Sequence, residues 1–368
     1  MGEWMMNFER TTAFLDSFLE MGIPGYDCII YKDGQCVFRR FNGYADVEVG
    51  VKMNGKEFYN IYSCSKLITC VAALQLYERG LFQLDDELSR YMPEFSDMKV
   101  MTPEGVKEAR NKIKISDLFQ MTAGFTYNTQ SPQLLKVKQD TEGRCPTREV
   151  MRYLAKEPLA FEPGTNWRYS LCHDVLAALV EEISGERFED YVRKHIFKPL
   201  KMNDTDFLLP LEEIGKITNQ YRFNDNAHMV EDIGKENHLR LGTEYASGGA
   251  GCVSTVDDYI KFMEAVRIGD IILKKETVEF MSKDRLNDMT RPNYMYGHLG
   301  YGYGLGVRCP IDGGSRTDFG WNGAAGAHLA IDPAHNMSIF YVQHVMNSPN
   351  RAIRNQVYDY AVKDIEAW

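Results

Sequence analysis

The chain has 368 residues, of which 44% are hydrophobic and 26% charged, as in an ordinary globular protein with enough residues for two domains or one large fold. With 52 acidic and 42 basic side chains, its formal net charge is −10. Such a field repels nucleic-acid phosphates and anionic lipid headgroups, so we expect no nucleic acid and no membrane among its partners.

The first predicted elements are a helix over residues 8–21 and a β-hairpin formed by residues 26–31 and 35–41. An Asp-Gly pair between two β-prone runs favours this hairpin. Residues 67–79 predict the next helix, which ends at Gly80. Because this helix is apolar on all sides, we expect it to be buried.

The pattern is mostly helical from residue 81 to 243 and becomes β-rich late in the chain. Helices are predicted over 115–121, 148–155 and 170–183, strands over 301–307, 328–331 and 337–342, and a closing helix over 352–368. Strands at both ends with helices between them predict an α+β fold, in which helices flank an antiparallel β-sheet built from both termini. We expect a discontinuous sheet domain, residues 1–85 and 245–368, a mostly helical inserted domain, residues 86–244, and an active site at their interface.

Several common catalytic motifs are absent from the sequence, among them GxSxG, HExxH, a P-loop and a complete GxGxxG. Residues 302–306 predict instead a glycine-rich strand over which another part of the chain packs closely. An S-x-x-K pattern occurs twice, with Ser63 and Lys66 and again with Ser96 and Lys99. The second pattern lies in a polar stretch with no helix behind it and predicts a loop, whereas the first is followed at once by the buried helix.

Ser63 and Lys66 can form an activated nucleophile at the start of this helix. Residues three apart lie on the same helix face, so the amine of Lys66 can reach the hydroxyl of Ser63. The positive helix N-terminus favours alkoxide character on the serine, and burial favours a neutral lysine that can accept a proton. The alternative is structural: a helix cap beside a lysine that extends to water.

Together with the segments that follow it, this motif resembles the serine β-lactamase and penicillin-binding-protein family, most closely its class C-like, esterase-type branch. The similar stretches follow one another in the family's order: Ser63-Cys64-Ser65-Lys66, residues 80–87, 91–95, 118–124, 161–164, 167–170, 199–202 and 248–255, and Trp321-Asn322-Gly323-Ala324. They extend over nearly the whole chain, which makes the resemblance far more specific than one tetrapeptide.

The resemblance implies a division of catalytic work among a few residues. Ser63 would be the acylated nucleophile with Lys66 as its proton partner, and Tyr169 would share the general acid and base work. The backbone N–H groups of Ser63 and Ala324 would form the oxyanion hole, where fixed donors stabilise the charge that develops on the carbonyl oxygen. This chemistry uses only side chains and backbone, so no cofactor and no metal are expected.

Two departures from the family pattern bear on the substrate. Leu171 replaces the Asn of the second motif, and Trp321 begins the third motif where relatives that act on β-lactams or D-alanyl peptides usually have Lys, or sometimes His. A tryptophan cannot make a charge-assisted bond to a substrate carboxylate. We therefore expect Leu171, Trp321, Asn322 and Gly323 to line an apolar and aromatic pocket, with residues 294–303 as further candidates. A small ester with an uncharged acyl group suits such a pocket, and a carboxylesterase-type activity is favoured.

Two other functions stay open. A β-lactamase or a D-amino-acid peptidase similar to a DD-carboxypeptidase would attack an amide with the same nucleophile and would need a carboxylate-binding group, for which Arg316 and His328 are candidates. A non-catalytic relative would keep the fold and only bind ligands. The sequence shows no export signal and no apolar stretch long enough to span a bilayer, so we expect a cytoplasmic protein with reduced cysteines.

Overall fold

The computed structural model describes residues 7–367 and is built around an eight-stranded antiparallel sheet. The strands of these residues are β1 (Gly25–Lys32), β2 (Gln35–Asp46), β3 (Val51–Lys52), β4 (Tyr59–Asn60), β5 (Lys99–Thr102), β6 (Gly105–Glu108), β7 (Gln220–Asn224), β8 (Met229–Gly234), β9 (Val253–Ser254), β10 (Tyr301–Tyr303), β11 (Arg308–Pro310), β12 (Phe319–Asn322), β13 (His328–Asp332), β14 (Met337–Val342) and β15 (Val345–Met346). The helices are α1 (Glu9–Glu20), α2 (Ser65–Glu78), α3 (Ile115–Gln120), α4 (Pro132–Asp140), α5 (Thr147–Leu154), α6 (Cys172–Ser184), α7 (Phe188–Val192), α8 (Val256–Ile268), α9 (Lys275–Met281) and α10 (Val357–Glu366). Among the helices of the described residues, none combines the length and the apolar character needed to cross a membrane.

The central sheet joins the two ends of the chain. Its strand order is β10-β11-β12-β13-β14-β1-β2-β3. β1 pairs with β14 in antiparallel register, with Ile30 opposite Ile339, so an N-terminal strand lies beside a C-terminal one. The predicted α+β fold, an antiparallel sheet built from both termini and flanked by helices, is confirmed.

Alternate residues of β1 contribute to two cores, because successive side chains of a strand point to opposite faces of its sheet. Ile30 belongs to the same core as Leu15 of α1. Ile29 belongs to the larger core on the other face. On that face Tyr259 of α8 stacks on Phe340 of β14, with ring centroids 4.4 Å apart. Helices therefore cover both faces of the sheet.

Three predicted elements differ from the observed ones by more than two residues in their bounds. The second hairpin strand, predicted over residues 35–41, extends to Asp46. The strand predicted over residues 301–307 is limited to Tyr301–Tyr303, since Gly306 has a φ of +84° that an extended strand does not adopt. The closing helix predicted from residue 352 begins at Val357, after a 3-10 turn over Arg354–Gln356. The predicted end of that helix, residue 368, lies outside the described residues.

The segment 86–244 contains helices α3 to α7, and strands interrupt its mostly helical character. β5 pairs with β6, and β7 pairs with β8. β7 also pairs in parallel with β15, with Val345 opposite Tyr221, so part of this segment packs on the C-terminal region. The expectation of a mostly helical segment therefore missed its four strands. The division of the chain into two domains stays a prediction.

Helix α2 is the buried helix that the sequence predicts. Residues around its whole circumference are buried, and it packs against α6. The chain leaves the helix at Gly80, whose φ of +72° glycine adopts without strain. A 3-10 turn over Tyr62–Cys64 precedes the helix, and this turn carries Ser63.

Candidate active site

Ser63 lies on a turn that its neighbours hold firmly. Tyr62, the residue before it, has a φ of +48°, a conformation that costs a non-glycine residue about 1–3 kcal/mol and persists where surrounding structure enforces it. The hydroxyl of Tyr62 donates a hydrogen bond to Gln220 Oε1 at 2.6 Å. Ser65 Oγ donates to the Tyr62 carbonyl at 2.5 Å and accepts from the Cys252 N–H at 2.9 Å. These bonds fix the direction of Ser63, which is only 5% exposed.

Lys66 lies one turn after Ser63 and is fully buried. Its Nζ donates to Ser63 Oγ at 3.4 Å and to the Gly249 carbonyl at 2.6 Å. The same nitrogen lies 4.6 Å from the centroid of the Tyr169 ring and 5.2 Å from that of Tyr127, within the range of cation–π attraction. The alternative of a lysine that extends to water therefore does not hold.

Tyr169 lies three residues before α6 and completes the group around Ser63. Its hydroxyl donates to Ser63 Oγ at 2.5 Å and accepts from Trp321 Nε1 at 3.4 Å. Its ring stacks between Tyr127, at a centroid distance of 5.3 Å, and Trp321, at 5.7 Å. The two flat neighbours hold the phenol in plane and direct its oxygen at the serine.

Asp174, in the first turn of α6, is a site residue that the sequence analysis missed. Its Oδ1 accepts from Tyr245 at 2.8 Å and from Ser247 at 2.5 Å, whereas Oδ2 has no hydrogen-bond partner among the described residues. A β-carbon on Gly249 would lie 2.4 Å from this Oδ2 and 3.3 Å from Lys66 Nζ. Glycine at this position thus allows a buried carboxylate and a buried amine to approach each other. The only sequence signal was the acidic residue at a helix start, which also fits a favourable interaction with the helix dipole.

The end of β12 lies beside the turn that carries Ser63. A β-carbon on Gly323 would lie 2.5 Å from the carbonyl oxygen of Ile61, two residues before the serine. Ala324 follows in the turn between β12 and β13 and is exposed, whereas the residues on either side of it in the turn are buried. The structure thus brings the predicted third motif to the serine, and the oxyanion-hole role of the Ser63 and Ala324 N–H groups stays a prediction.

Aromatic side chains form the wall next to Tyr169. Trp321 is 2% exposed and meets the edge of Tyr296 at a centroid distance of 5.3 Å and Tyr303 at 5.4 Å. Asn322 Nδ2 donates to the hydroxyl of Tyr296 at 2.9 Å. Leu171 is buried in the core at the start of α6, where its N–H donates to a backbone carbonyl. Of the tyrosines in residues 294–303, Tyr296 and Tyr303 thus contact the predicted pocket residues Trp321 and Asn322.

The two candidates for a carboxylate binder do not supply a free cation to this site. His328 is buried and bonds Asn322 Oδ1 through Nδ1 at 2.7 Å. Burial, assisted by Arg308, holds the pKa of His328 well below its ordinary value, so the ring is neutral at neutral pH. Arg316 forms an ion pair with Asp359 of α10 and packs over the Tyr301 ring.

The family model described as Beta-lactamase matches residues 11–363. The chain is 26% identical to Esterase EstB of Burkholderia gladioli, over 95% of this chain and 94% of the relative. It is 25% identical to an Escherichia coli protein named "Putative D-alanyl-D-alanine carboxypeptidase", over 93% of this chain and 84% of the relative. The solved structure of EstCE1, a hydrolase with promiscuous acyltransferase activity, has a TM-score of 0.78 at 24% identity and covers 97% of both chains, a likeness of fold.

These matches extend over nearly the whole chain, as the order of the sequence motifs predicts. They confirm the predicted enzyme class, a serine hydrolase with esterases among its relatives. The chain belongs to the Beta-lactamase family.

Proposed function

We propose that the protein cleaves small esters through an acyl-enzyme formed on Ser63. The observation that carries this proposal is the convergence of two proton-carrying groups on one oxygen: the Tyr169 hydroxyl lies 2.5 Å and the Lys66 amine 3.4 Å from Ser63 Oγ. A serine held against such partners is an activated nucleophile. The relationship to Esterase EstB supports an ester as the substrate.

In the first half of the reaction, Ser63 Oγ attacks the ester carbonyl carbon and its proton moves to the Lys66–Tyr169 pair. The N–H groups of Ser63 and Ala324 stabilise the negative charge that the carbonyl oxygen gains. The bond to the alcohol oxygen then breaks, and that oxygen takes the proton. Water attacks the resulting acyl-Ser63, gives a proton to the same pair, and releases the carboxylic acid and the free serine.

The walls of the site favour an uncharged acyl group. Trp321 and Tyr127 stack on the ring of Tyr169, whose hydroxyl contacts the reacting oxygen. Tyr296 packs edge-on against Trp321, and His328 is neutral. Burial raises the pKa of Tyr127 well above its ordinary value, so this phenol carries no charge at neutral pH. An apolar acyl group that binds against this surface leaves water, which is favourable. A carboxylate that binds there loses its hydration and finds few groups that replace it.

A fluorophosphonate probe and a short p-nitrophenyl ester test the proposal. We expect wild type to be labelled on Ser63 and to hydrolyse the ester, and Ser63→Ala to lose the label and about 10³-fold or more in kcat/KM. Tyr169→Phe should lower kcat about 10²-fold, because it removes one proton-transfer group. Ser96→Ala is the matched control, since it removes the serine of the other S-x-x-K pattern. Labelling that survives in Ser63→Ala, or that never occurs in folded wild type, contradicts the proposal.

The second candidate function is hydrolysis of a β-lactam or a D-alanyl peptide, and the Escherichia coli relative favours it. It requires the same acyl-enzyme but a carboxylate-binding cation, a role that neither His328 nor Arg316 fills in this structure. A chromogenic cephalosporin decides between the two. Turnover of the cephalosporin faster than of the ester supports this second function, and an intact cephalosporin under conditions of ester cleavage excludes it.

The proposal implies a small-molecule ester or amide as the partner of this protein.

We also infer a cytoplasmic location. All eight cysteines are free thiols, and only Cys36 is exposed. Unpaired thiols are typical of reducing compartments. Intact-mass analysis after alkylation of unfolded protein, prepared without reductant, should find eight alkylated thiols; any pair protected as a disulfide argues against this location.

A further inference from the structure

A second cavity lies apart from Ser63, between α4 and the segments 207–217 and 235–245. Its volume is about 240 Å³. Ser63, Lys66 and Tyr169 are not among the residues that line it, and of the lining residues Tyr245 reaches the active site through its hydrogen bond to Asp174 Oδ1. The apolar part of its wall is formed by Phe207, Leu209, Ile214, Ile217, Leu241 and Val253. A volume of this order, below the usual 300–1,000 Å³ of drug-sized sites, suits a small ligand with an aliphatic part.

Three cations line the same cavity, although the protein has a net charge of −10. They are Lys138, Lys235 and Arg240, and within residues 7–367 none of them forms an ion pair with a carboxylate. Lys235 Nζ donates to the Gly215 carbonyl at 2.8 Å. Lys138 is exposed at the rim. The cavity therefore combines an apolar wall with three positive groups that form no ion pair among the described residues, against one acidic residue of the lining, Glu236.

Arg240 is the most enclosed of the three cations. Its guanidinium donates to the carbonyls of Gly242 at 3.0 Å and Thr243 at 2.7 Å. Burial lowers the pKa of Arg240, and Glu236, the acidic residue of the lining, acts in the opposite direction. Carbonyl oxygens accept its hydrogen bonds without cancelling its charge, so an incoming anion gains the remaining attraction.

We propose that this cavity binds an aliphatic carboxylate of medium chain length. The alkyl chain lies on the wall formed by Phe207, Leu209 and the other apolar residues, and the carboxylate lies among Lys138, Lys235 and Arg240. Burial of methylene groups supplies most of the affinity. The cations select the head group, because an alcohol or an ammonium of equal length gains no attraction from them.

Calorimetric titration of the full-length protein with octanoate tests the site. The titration uses Ser63→Ala, so that no acyl-enzyme chemistry contributes and the result does not depend on the proposed hydrolase function. We expect one equivalent of octanoate to bind, with affinity that falls as salt is added. Octanol and octyltrimethylammonium should bind at least about tenfold more weakly, since they lack the charge-assisted hydrogen bonds. Absence of octanoate binding, or equal binding of octanol, overturns the proposal.

Variants then place the ligand in this cavity. Lys138→Gln/Lys235→Gln should weaken octanoate about tenfold, as loss of hydrogen bonds to a charged group does. Lys136→Gln/Lys216→Gln is the control, since it removes the same charge from α4 and from the segment 207–217 at positions outside the lining. Ile214→Trp should abolish octanoate binding by filling the cavity. If this variant does not fold, the octanoate affinities of the two lysine double variants still test the assignment. Equal affinity in both double variants overturns the assignment.

Discussion

Lys66 brings a buried amine close to the reacting serine, and several groups together offset the cost of its burial. A buried ammonium needs partners because removal from water is expensive. The Gly249 carbonyl accepts a hydrogen bond from it and the Tyr169 and Tyr127 rings lie beside it, whereas the carboxylate of Asp174 lies nearby without forming an ion pair with it. Among the described residues, Asp174 forms no hydrogen bond with Ser63, Tyr169 or Lys66. Because a β-carbon on Gly249 would lie 2.4 Å from Asp174 Oδ2 and 3.3 Å from Lys66 Nζ, we infer that the charge of Asp174 acts on Lys66 across this short gap, as a positioning residue.

We expect Asp174→Asn to lower kcat about tenfold with little change in KM, a loss of about 1.4 kcal/mol of transition-state stabilisation. The variant keeps the shape of the side chain and removes the negative charge that faces Lys66. Steady-state kinetics with the p-nitrophenyl ester across a pH series measure the effect, and a pH profile that differs from wild type distinguishes it from a loss of folded protein. Asp190→Asn, at an exposed position in the first turn of α7, is the control. An unchanged kcat in Asp174→Asn contradicts the inference.

Residues of the site that are close together in the chain could be predicted to meet, and residues from distant segments could not. Ser63 and Lys66 are three residues apart beside one helix, so helical geometry predicts their contact. Tyr169 could be identified only through the family resemblance. Asp174 and Gly249 meet Lys66 from two distant segments, and a single sequence does not show which distant segments meet. The Asp174–Gly249 approach therefore becomes visible only in the folded chain.

At the scale of elements, the glycine-rich segment after α9 presses against both buried helices of the site. A β-carbon on Gly306 would lie 2.2 Å from Cys70 Sγ of α2 and 3.1 Å from His173 Cε1 of α6. A β-carbon on Gly304 would lie 2.1 Å from the Met281 carbonyl oxygen. The predicted close packing over residues 302–306 is thus present, although the extended strand ends at Tyr303.

Gly306→Ala should lower the free energy of unfolding by about 2–4 kcal/mol, because a clash in the core adds to the strain of a positive φ. Since the clash falls on α2 and α6, we also expect reduced esterase activity in the protein that remains folded. Urea unfolding followed by circular dichroism measures the first effect. Gly297→Ala is the matched control: it has an ordinary φ and no atom within 4 Å of the added carbon. Equal stability of the two variants would show that the segment adapts.

The elements themselves were predictable where their signal is local. The hairpin of β1 and β2, with its Asp-Gly turn, and the uniformly apolar α2 each carry a pattern within one short window. β7 and β8 escaped because both strands are short and only β7 alternates, with Tyr221 and Phe223 between polar residues. The second pairing partner of β7, β15, lies more than a hundred residues away. Strands of this length depend on tertiary contacts more than on intrinsic propensity.

At the scale of the whole molecule, three histidines are buried in separate regions as neutral groups. Burial lowers the pKa of His173 and His344 to about 3, with Lys66 adding to the effect at His173. His328 is shifted in the same direction. In the unfolded chain each ring has an ordinary pKa near 6.5. The unfolded state therefore binds more protons than the folded state between about pH 6.5 and pH 3, and the stability due to neutral histidine is lost as pH falls through that window.

We expect the free energy of unfolding to fall steeply below about pH 6, with each buried histidine contributing up to about 1.4 kcal/mol per pH unit. His344→Gln removes one buried histidine and should reduce that slope by the contribution of one ring. The side-chain oxygen of the glutamine can still accept the hydrogen bond from the Asn60 N–H, which His344 Nε2 accepts at 3.3 Å. Urea titrations at several pH values between about 4.5 and 7.5 measure the slopes. Carboxylates also titrate in this range, but they contribute equally to both proteins and cancel in the difference. His298→Gln, at an exposed position, should leave the slope unchanged; a His344→Gln slope equal to that of wild type would mean that this ring is protonated in the folded state.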